Sequence, residues 1–202
     1  MRIARLGSGP VIVPDMDQRM GANINGPSLI RLPDWVPAPL GRYYLYFADH
    51  NGSYIRLAVA DRIEGPWRTH EPGVLDLGQS GGFIDHIASP EIFIDEKRRE
   101  MRLYFHGPIS RGADGEFVQK TRVALSRDGL AFEVLPDLLG PSYFRVFEQG
   151  GVFFALARSG ELLRSGHGLA PFESAGVPAG LPDGIRHVGL WRRSAERMTV
   201  FY

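Results

Sequence analysis

The sequence predicts an all-β chain of the β-propeller class, built from repeated units of four antiparallel strands, and three observations carry that prediction. Glycine (25) and proline (15) are enriched among the 202 residues, as expected of short strands joined by tight turns. Apolar and aromatic runs are short and bounded by turn residues. Gly or Pro interrupts nearly every window long enough for a helix, so no 3.6-residue period is sustained. These runs also recur in one order along the chain, and such self-similarity outweighs any single strand assignment.

The first unit opens with residues 27–32 (PSLIRL). The aromatic run 43–48 (YYLYFA) follows the turn signal Leu40-Gly41-Arg42, and 54–60 (YIRLAVA) returns after Asp49-His50-Asn51-Gly52, a natural hairpin loop. A short strand at 67–70 closes the unit after Glu64-Gly65-Pro66. The second unit reads 89–94, 101–106, 120–126 and 132–135; the third reads 140–146, 151–157 and 161–165. A fourth starts at 185–191 and stops within its second strand at 198–202. The blades are therefore expected at 23–80, 85–138, 139–180 and 185–202, the last incomplete, within a single domain 1–202. An apolar strand at the end of the chain predicts a fragment of a longer propeller. Its open edge would be covered by another chain, by a missing segment, or by an N-terminal strand at Val11-Ile12-Val13.

A chain of this length buries about 70% of the surface its unfolded form exposes, so a real core is expected. Lys plus Arg equals Asp plus Glu, 23 each, and no bulk field favours nucleic acid or an anionic membrane. Cysteine is absent, which excludes disulfides, thiolate metal sites and thiol nucleophiles. The N-terminal text lacks a leader-peptide core, and nowhere do 18 apolar residues run together, so a soluble, cytoplasmic protein is expected. There is no phosphate-binding loop ending in Lys-Ser or Lys-Thr, no His-Glu-x-x-His and no Gly-x-Ser-x-Gly elbow.

In a propeller the start of each first strand, the end of each second strand and the loop into the next blade converge at one end of the central channel. Asn23, Asn25, Asp49 and His50 hold such places in blade one; Asp85, His86, Glu91 and His106 in blade two; Arg145 and Arg158 in blade three; Arg186 and His187 in blade four. His70 and His167 do not. Carboxylates near cations stay ionised and serve as bases, while one against apolar walls keeps its proton and serves as an acid, so Asp49, Asp85 and Glu91 are the candidate catalytic groups. Asn25, His50, His86, His106, Arg145, Arg186 and His187 are candidates for binding substrate, and the imidazoles are also candidate metal ligands. Each has a duller role too. Asp49 and Asn51 are common hairpin-turn residues, Asp85 can cap a turn, and His106 can be a buried, hydrogen-bonded imidazole. Joint placement carries the functional reading.

The segments GPSLIR (26–31), GRYYLYFADH (41–50), YIRLAVADRIEGPW (54–67) and ASPEIFID (88–95) resemble the five-bladed propeller glycosidases of glycoside hydrolase family 43 and the arabinanase-like clan, Gly65-Pro66-Trp67 being the most specific fragment. The resemblance covers nearly the whole chain, about three and a half to four blades of the five-bladed type. It implies a glycoside hydrolase acting on an oligosaccharide or other small carbohydrate in the central funnel by carboxylate acid/base chemistry, with no cofactor beyond at most one metal ion in the channel. The family places a base Asp in blade one, a second Asp in blade two and an acid Glu in blade three. Here Gly26 stands at the first, Glu91 at the second, and Gly140-Pro141-Ser142-Tyr143-Phe144-Arg145 offers no carboxylate at the third. The departures leave four readings: a rearranged set of Asp49, Asp85 and Glu91 assisted by His86 and His106; a noncatalytic carbohydrate-binding propeller; a metal-dependent enzyme using His50, His86, His106 and His187; and a chain inactive because a missing blade completes the pocket.

Overall fold

The structure is a computed structural model that describes residues 4, 5, 7, 9–182 and 184–202. Its elements are β1 (Asn25–Arg31), β2 (Tyr43–Ala48), β3 (Tyr54–Ala60), β4 (Arg68–Asp76), β5 (Ala88–Asp95), β6 (Glu100–Arg111), β7 (Phe117–Ser126), β8 (Glu133–Val134), β9 (Arg145–Gln149), β10 (Val152–Leu156), β11 (Leu162–Ser165), β12 (Glu173–Ser174), β13 (Gly189–Arg192) and β14 (Met198–Phe201), with a 3₁₀ turn at Leu77–Gln79. They form three four-stranded antiparallel sheets, each in sequential order, and the β13–β14 hairpin. Each four-stranded sheet is one blade of a propeller. Among the described residues no helix is long and apolar enough to cross a membrane.

The blades form because each second strand alternates two apolar sets on opposite faces. In β2, Tyr44, Tyr46 and Ala48 join the cluster shared with blade two, which includes Ile87, Ile92, Met101, Leu103 and Phe105. Leu45 and Phe47 face the other way, onto Ala58, Ala60, Trp67, Ile12 and Met20. Tyr104, on the opposite face of β6 from Leu103 and Phe105, packs with Phe144, Val146 and Phe153 of blade three. A fourth cluster joins Leu156 to Ile185, Val188 and the hairpin.

One hydrogen bond recurs between blades. Tyr46 Oη donates to the Gly129 carbonyl at 2.9 Å, and Tyr104 Oη donates to the Gly168 carbonyl, also at 2.9 Å. Both glycines close turns opened by a serine, since Ser126 Oγ accepts from the Gly129 amide and Ser165 Oγ from the Gly168 amide. Gly168 has φ +75, and a Cβ there would lie 2.7 Å from the Phe153 ring. Arg102, with no exposed surface, lies between blades two and three, donating to Asp95, Glu100 and the His167 carbonyl.

Three expectations about elements are corrected. Residues 11–13 form no strand, although Ile12 is buried against blade one. The first strand of blade three begins at Arg145 rather than at Gly140. The preceding connector is tied to blade two instead: the Thr121 amide donates to the Gly140 carbonyl and Thr121 Oγ1 to the Pro141 carbonyl. Lastly, β6 does not end at His106 but runs to Arg111, because a register shift between Pro108 and Ser110 lets the β6–β7 ladder pass the proline.

Candidate functional site

Three equivalent positions build the axial end. Gly26, Ser89 and Tyr143 all have left-handed backbone, φ +59, +48 and +61. Two residues after each, the first strands present Ser28, Glu91 and Arg145, which occupy matching register positions opposite Tyr46, Tyr104 and Leu156. These three side chains bond to one another across the blades. Ser28 Oγ donates to Glu91 Oε2 at 3.1 Å, and Arg145 Nη1 donates to the same oxygen at 2.8 Å. Arg145 also donates to the carbonyls of Pro90 and Val188, so one guanidinium joins blade two, blade three and the segment leading to the hairpin. Burial raises the Glu91 carboxyl above its ordinary value, opposed by Arg145 and by the Ser28 hydroxyl.

Gly26 is closed to a side chain. A Cβ there would lie 2.8 Å from the Ser89 Cα, and its positive φ further disfavours any other residue. An aspartate at this place would need the backbone of two blades to move apart.

Two residues beyond Tyr46 and Tyr104, the second strands carry Ala48 and His106 at this same end; Arg158, expected to end the third blade's second strand, lies just past β10, and its amide donates to the Ser142 carbonyl there. A row of rings follows: His86 to His106 with centroids 6.4 Å apart, His106 to Tyr143 at 4.5 Å, and Tyr143 to His187 at 4.5 Å. His86 Nδ1 is 2.9 Å from Asp85 Oδ2, and its Nε2 is 3.2 Å from Gln119 Nε2. Asn25 Nδ2 lies 3.4 Å from His50 Nδ1. Burial pushes His106 down to about 3, aided by His86, His187, His50 and Arg158, so this imidazole is neutral near pH 7. His187 is also lowered, by burial first and then by Arg186, Arg145, His50 and Arg158.

Buried side-chain atoms without a partner gather here. Asn25 Oδ1, Ser89 Oγ, His106 Nδ1 and Gln119 Oε1 all belong to this end among the described residues. The two others are Arg56 Nε, whose Nη1 and Nη2 are both bonded, and Arg122 Nε, whose Nη1 donates to the Pro136 carbonyl. Beside the ring row, a cleft between blade three and the hairpin is lined by Tyr143, Arg145, Arg158, Arg186 and His187, with apolar groups completing the wall. The cleft has a volume of ≈ 10 Å³, room for about one water.

The structure thus brings together Asn25, His50, His86, Glu91, His106, Arg145, Arg158, Arg186 and His187. Asp49 has a turn role: its Oδ1 accepts from the Asn51 amide, and its Oδ2 accepts from Arg56 at 3.3 Å. Asp85 is exposed and bonded to His86. Sequence reasoning did not single out Tyr143, Ser28, Ser89 or Gln119. The first three share the spacing of two residues seen at Gly26-Pro27-Ser28 and Ser89-Pro90-Glu91, a signal that points to Tyr143 once Arg145 is aligned with Glu91. Gln119 lies on a third strand, and nothing in its neighbours' text marks it. Among the described residues no three His, Asp or Glu side chains are arranged to hold one ion.

No family model matches the chain. It is similar to an uncharacterized protein of Acanthamoeba polyphaga mimivirus, 32% identical over 194 residues that cover 84% of this chain and 54% of that protein. The chain therefore spans about half the length of this curated relative. Among solved structures it is similar to a thermostable family-43 glycoside hydrolase, with TM-score 0.64 and 16% identity over 92% of this chain and 67% of that one. It is equally similar in fold to a family-43 enzyme from Xanthomonas citri complexed with xylotriose, with TM-score 0.64 and 12% identity over 92% of this chain and 66% of that one. The chain has, over the part it spans, the propeller fold of the five-bladed family-43 glycosidases.

Proposed function

We propose that the axial end of this propeller binds a carbohydrate and does so without two-carboxylate hydrolysis. The carrying observation is the set of unpartnered buried atoms, Asn25 Oδ1, Ser89 Oγ, His106 Nδ1 and Gln119 Oε1. Each buried polar atom left unpaired costs about 1–3 kcal/mol, so several in one place favour a ligand that both donates and accepts. Sugar hydroxyls do both. A neighbour of the same fold holding xylotriose supports the reading.

Inverting hydrolysis needs two carboxyl groups about 6.5–9.5 Å apart, flanking a water. Each candidate carboxylate here already has its own basic partner: Asp49 has Arg56, Asp85 has His86 and Glu91 has Arg145. The place of the family base is Gly26, where no side chain fits. A second reading keeps Glu91 as a single general acid, and the upward shift of its carboxyl favours it.

Calorimetric titration with a panel of oligosaccharides, run beside an assay for released reducing ends, separates the two. The expected result is saturable binding with no turnover, and an affinity within about threefold in Glu91→Gln, whose amide oxygen can still accept from both Ser28 and Arg145. Turnover by the unaltered protein that disappears in Glu91→Gln establishes the hydrolase instead.

A further inference from the structure

We infer that the ligand is an acidic saccharide, whose carboxylate, sulfate or phosphate group docks against the exposed Arg158 and Arg186 at the rim of the cleft between blade three and residues 186–188. This rests on the carbohydrate-binding reading and adds the chemical class of the sugar.

The polar lining of the cleft consists of three arginines, His187 and Tyr143, and it contains no carboxylate. Arg145 is committed to Glu91. Arg158 and Arg186 make no side-chain hydrogen bond or ion pair to any described residue, and both are exposed. A lone exposed arginine is ordinarily just solvated. Here the three come from separate elements, one at the start of β9, one just past β10 and one ahead of β13, and meet around a single tyrosine. The chain as a whole is neutral, with 23 basic and 23 acidic residues, so no general excess of charge accounts for the gathering.

Hydrogen-bond chemistry narrows the ligand. Guanidinium groups donate and never accept, so the cleft offers donors from Arg158 and Arg186 with few acceptors for a hydroxyl proton. A neutral sugar hydroxyl meets such a wall with its donor unpaired, whereas an oxyanion is acceptor-only and matches the guanidinium fork. The groups that bear on His187 agree: Arg186, Arg145, Arg158 and His50 all disfavour its cationic form. An anion in the cleft relieves that mutual repulsion.

The test uses matched pairs: xylotriose with and without a glucuronate branch, and galactose against galactose 6-sulfate and galactose 6-phosphate. The acidic member is expected to bind at least about tenfold tighter than its neutral partner. That preference is expected to shrink as NaCl rises from about 50 to about 500 mM. It should vanish in the Arg158→Gln/Arg186→Gln double variant, whose thermal midpoint should match the parent because both side chains are exposed. Which acidic arm wins identifies the oxyanion. Equal affinity for both members of every pair overturns the inference and leaves carbohydrate binding standing. So does a preference that survives the double variant. Free sulfate or phosphate binding as tightly as the sugar acid overturns it too, since the sugar then contributes nothing. If no saccharide binds, the carbohydrate reading falls and takes this inference with it.

Discussion

His106 shows what one residue contributes in this structure. It is 4% exposed, its Nδ1 has no protein partner, and its cationic form is opposed by burial and by four basic neighbours, which together bring it down to about 3. A histidine lowered in the folded state binds fewer protons than it does unfolded between pH 6.5 and about 3. Its neutral form therefore stabilises the fold above that window, and the benefit is lost progressively as pH falls through it. Moving from pH 7 to pH 5 should cost about 2 kcal/mol from this group, with the unfolded value near 6.5. Urea unfolding at the two pH values reads it directly. His106→Gln, which does not titrate, should show a pH dependence flatter by that amount. An equal slope in parent and variant places the neutral imidazole in error. The residue's position was legible because it follows the aromatic run Leu103-Tyr104-Phe105. Its missing partner was not, since that depends on Tyr143 and His86 arriving from other parts of the chain.

At the scale of elements, the alternation in the second strands is what joins the blades. The continuous aromatic run YYLYFA after a turn placed the strand; the structure shows its two faces, with Tyr44 and Tyr46 toward blade two and Leu45 and Phe47 away from it. What that text does not reveal is the tyrosine to Ser-x-x-Gly link. Ser126-Arg127-Asp128-Gly129 and Ser165-Gly166-His167-Gly168 resemble ordinary turns, and their partners lie 83 and 64 residues away. The repeat ends at blade three, where Leu156 stands in the register position of Tyr46 and Tyr104. Gly168→Ala sets a methyl against the Phe153 ring in left-handed backbone and should destabilise by about 2–3 kcal/mol. Tyr104→Phe removes only the hydroxyl and should cost about 1–2 kcal/mol. Denaturant midpoints for the two variants check the order; a larger loss in Tyr104→Phe than in Gly168→Ala makes the hydrogen bond, and not the steric closeness, the stronger constraint on this turn. The start of β9 is hidden for a related reason: Gly140-Pro141-Ser142 imitates Gly26-Pro27-Ser28 in letters, yet Thr121 holds that segment to blade two, and Tyr143-Phe144-Arg145 is the true counterpart.

For the molecule as a whole, the question is what covers the face of blade one that points away from blade two. In a ring that face meets another blade. Here Ile12 and Met20 lie on it, with Met16 and Ile24 packed alongside, over Leu45, Phe47, Ala58, Ala60 and Trp67. The segment is held without a strand: Met20 and Arg19 amides both donate to Asp17 Oδ1, and the Arg19 guanidinium lies over the Tyr54 ring while bonding Asp76 and the Pro72 carbonyl. The sequence offered a strand at Val11-Ile12-Val13 as one way to cover the open sheet edge. The structure uses burial of separate side chains instead, and Val11 and Val13 are 40% and 43% exposed. Met20, 1% exposed, is the anchor of this cover. Met20→Asp puts a carboxylate with no cation into an apolar contact and should destabilise by about 3 kcal/mol or more. Val13→Asp, exposed and seven positions earlier, should change stability by less than about 0.5 kcal/mol. If the cover is only a lid on an already stable blade, Met20→Asp will instead leave the unfolding midpoint near the parent's while protease cleavage moves to residues 12–24. The two outcomes distinguish a segment that completes the core of blade one from one that merely rests on it.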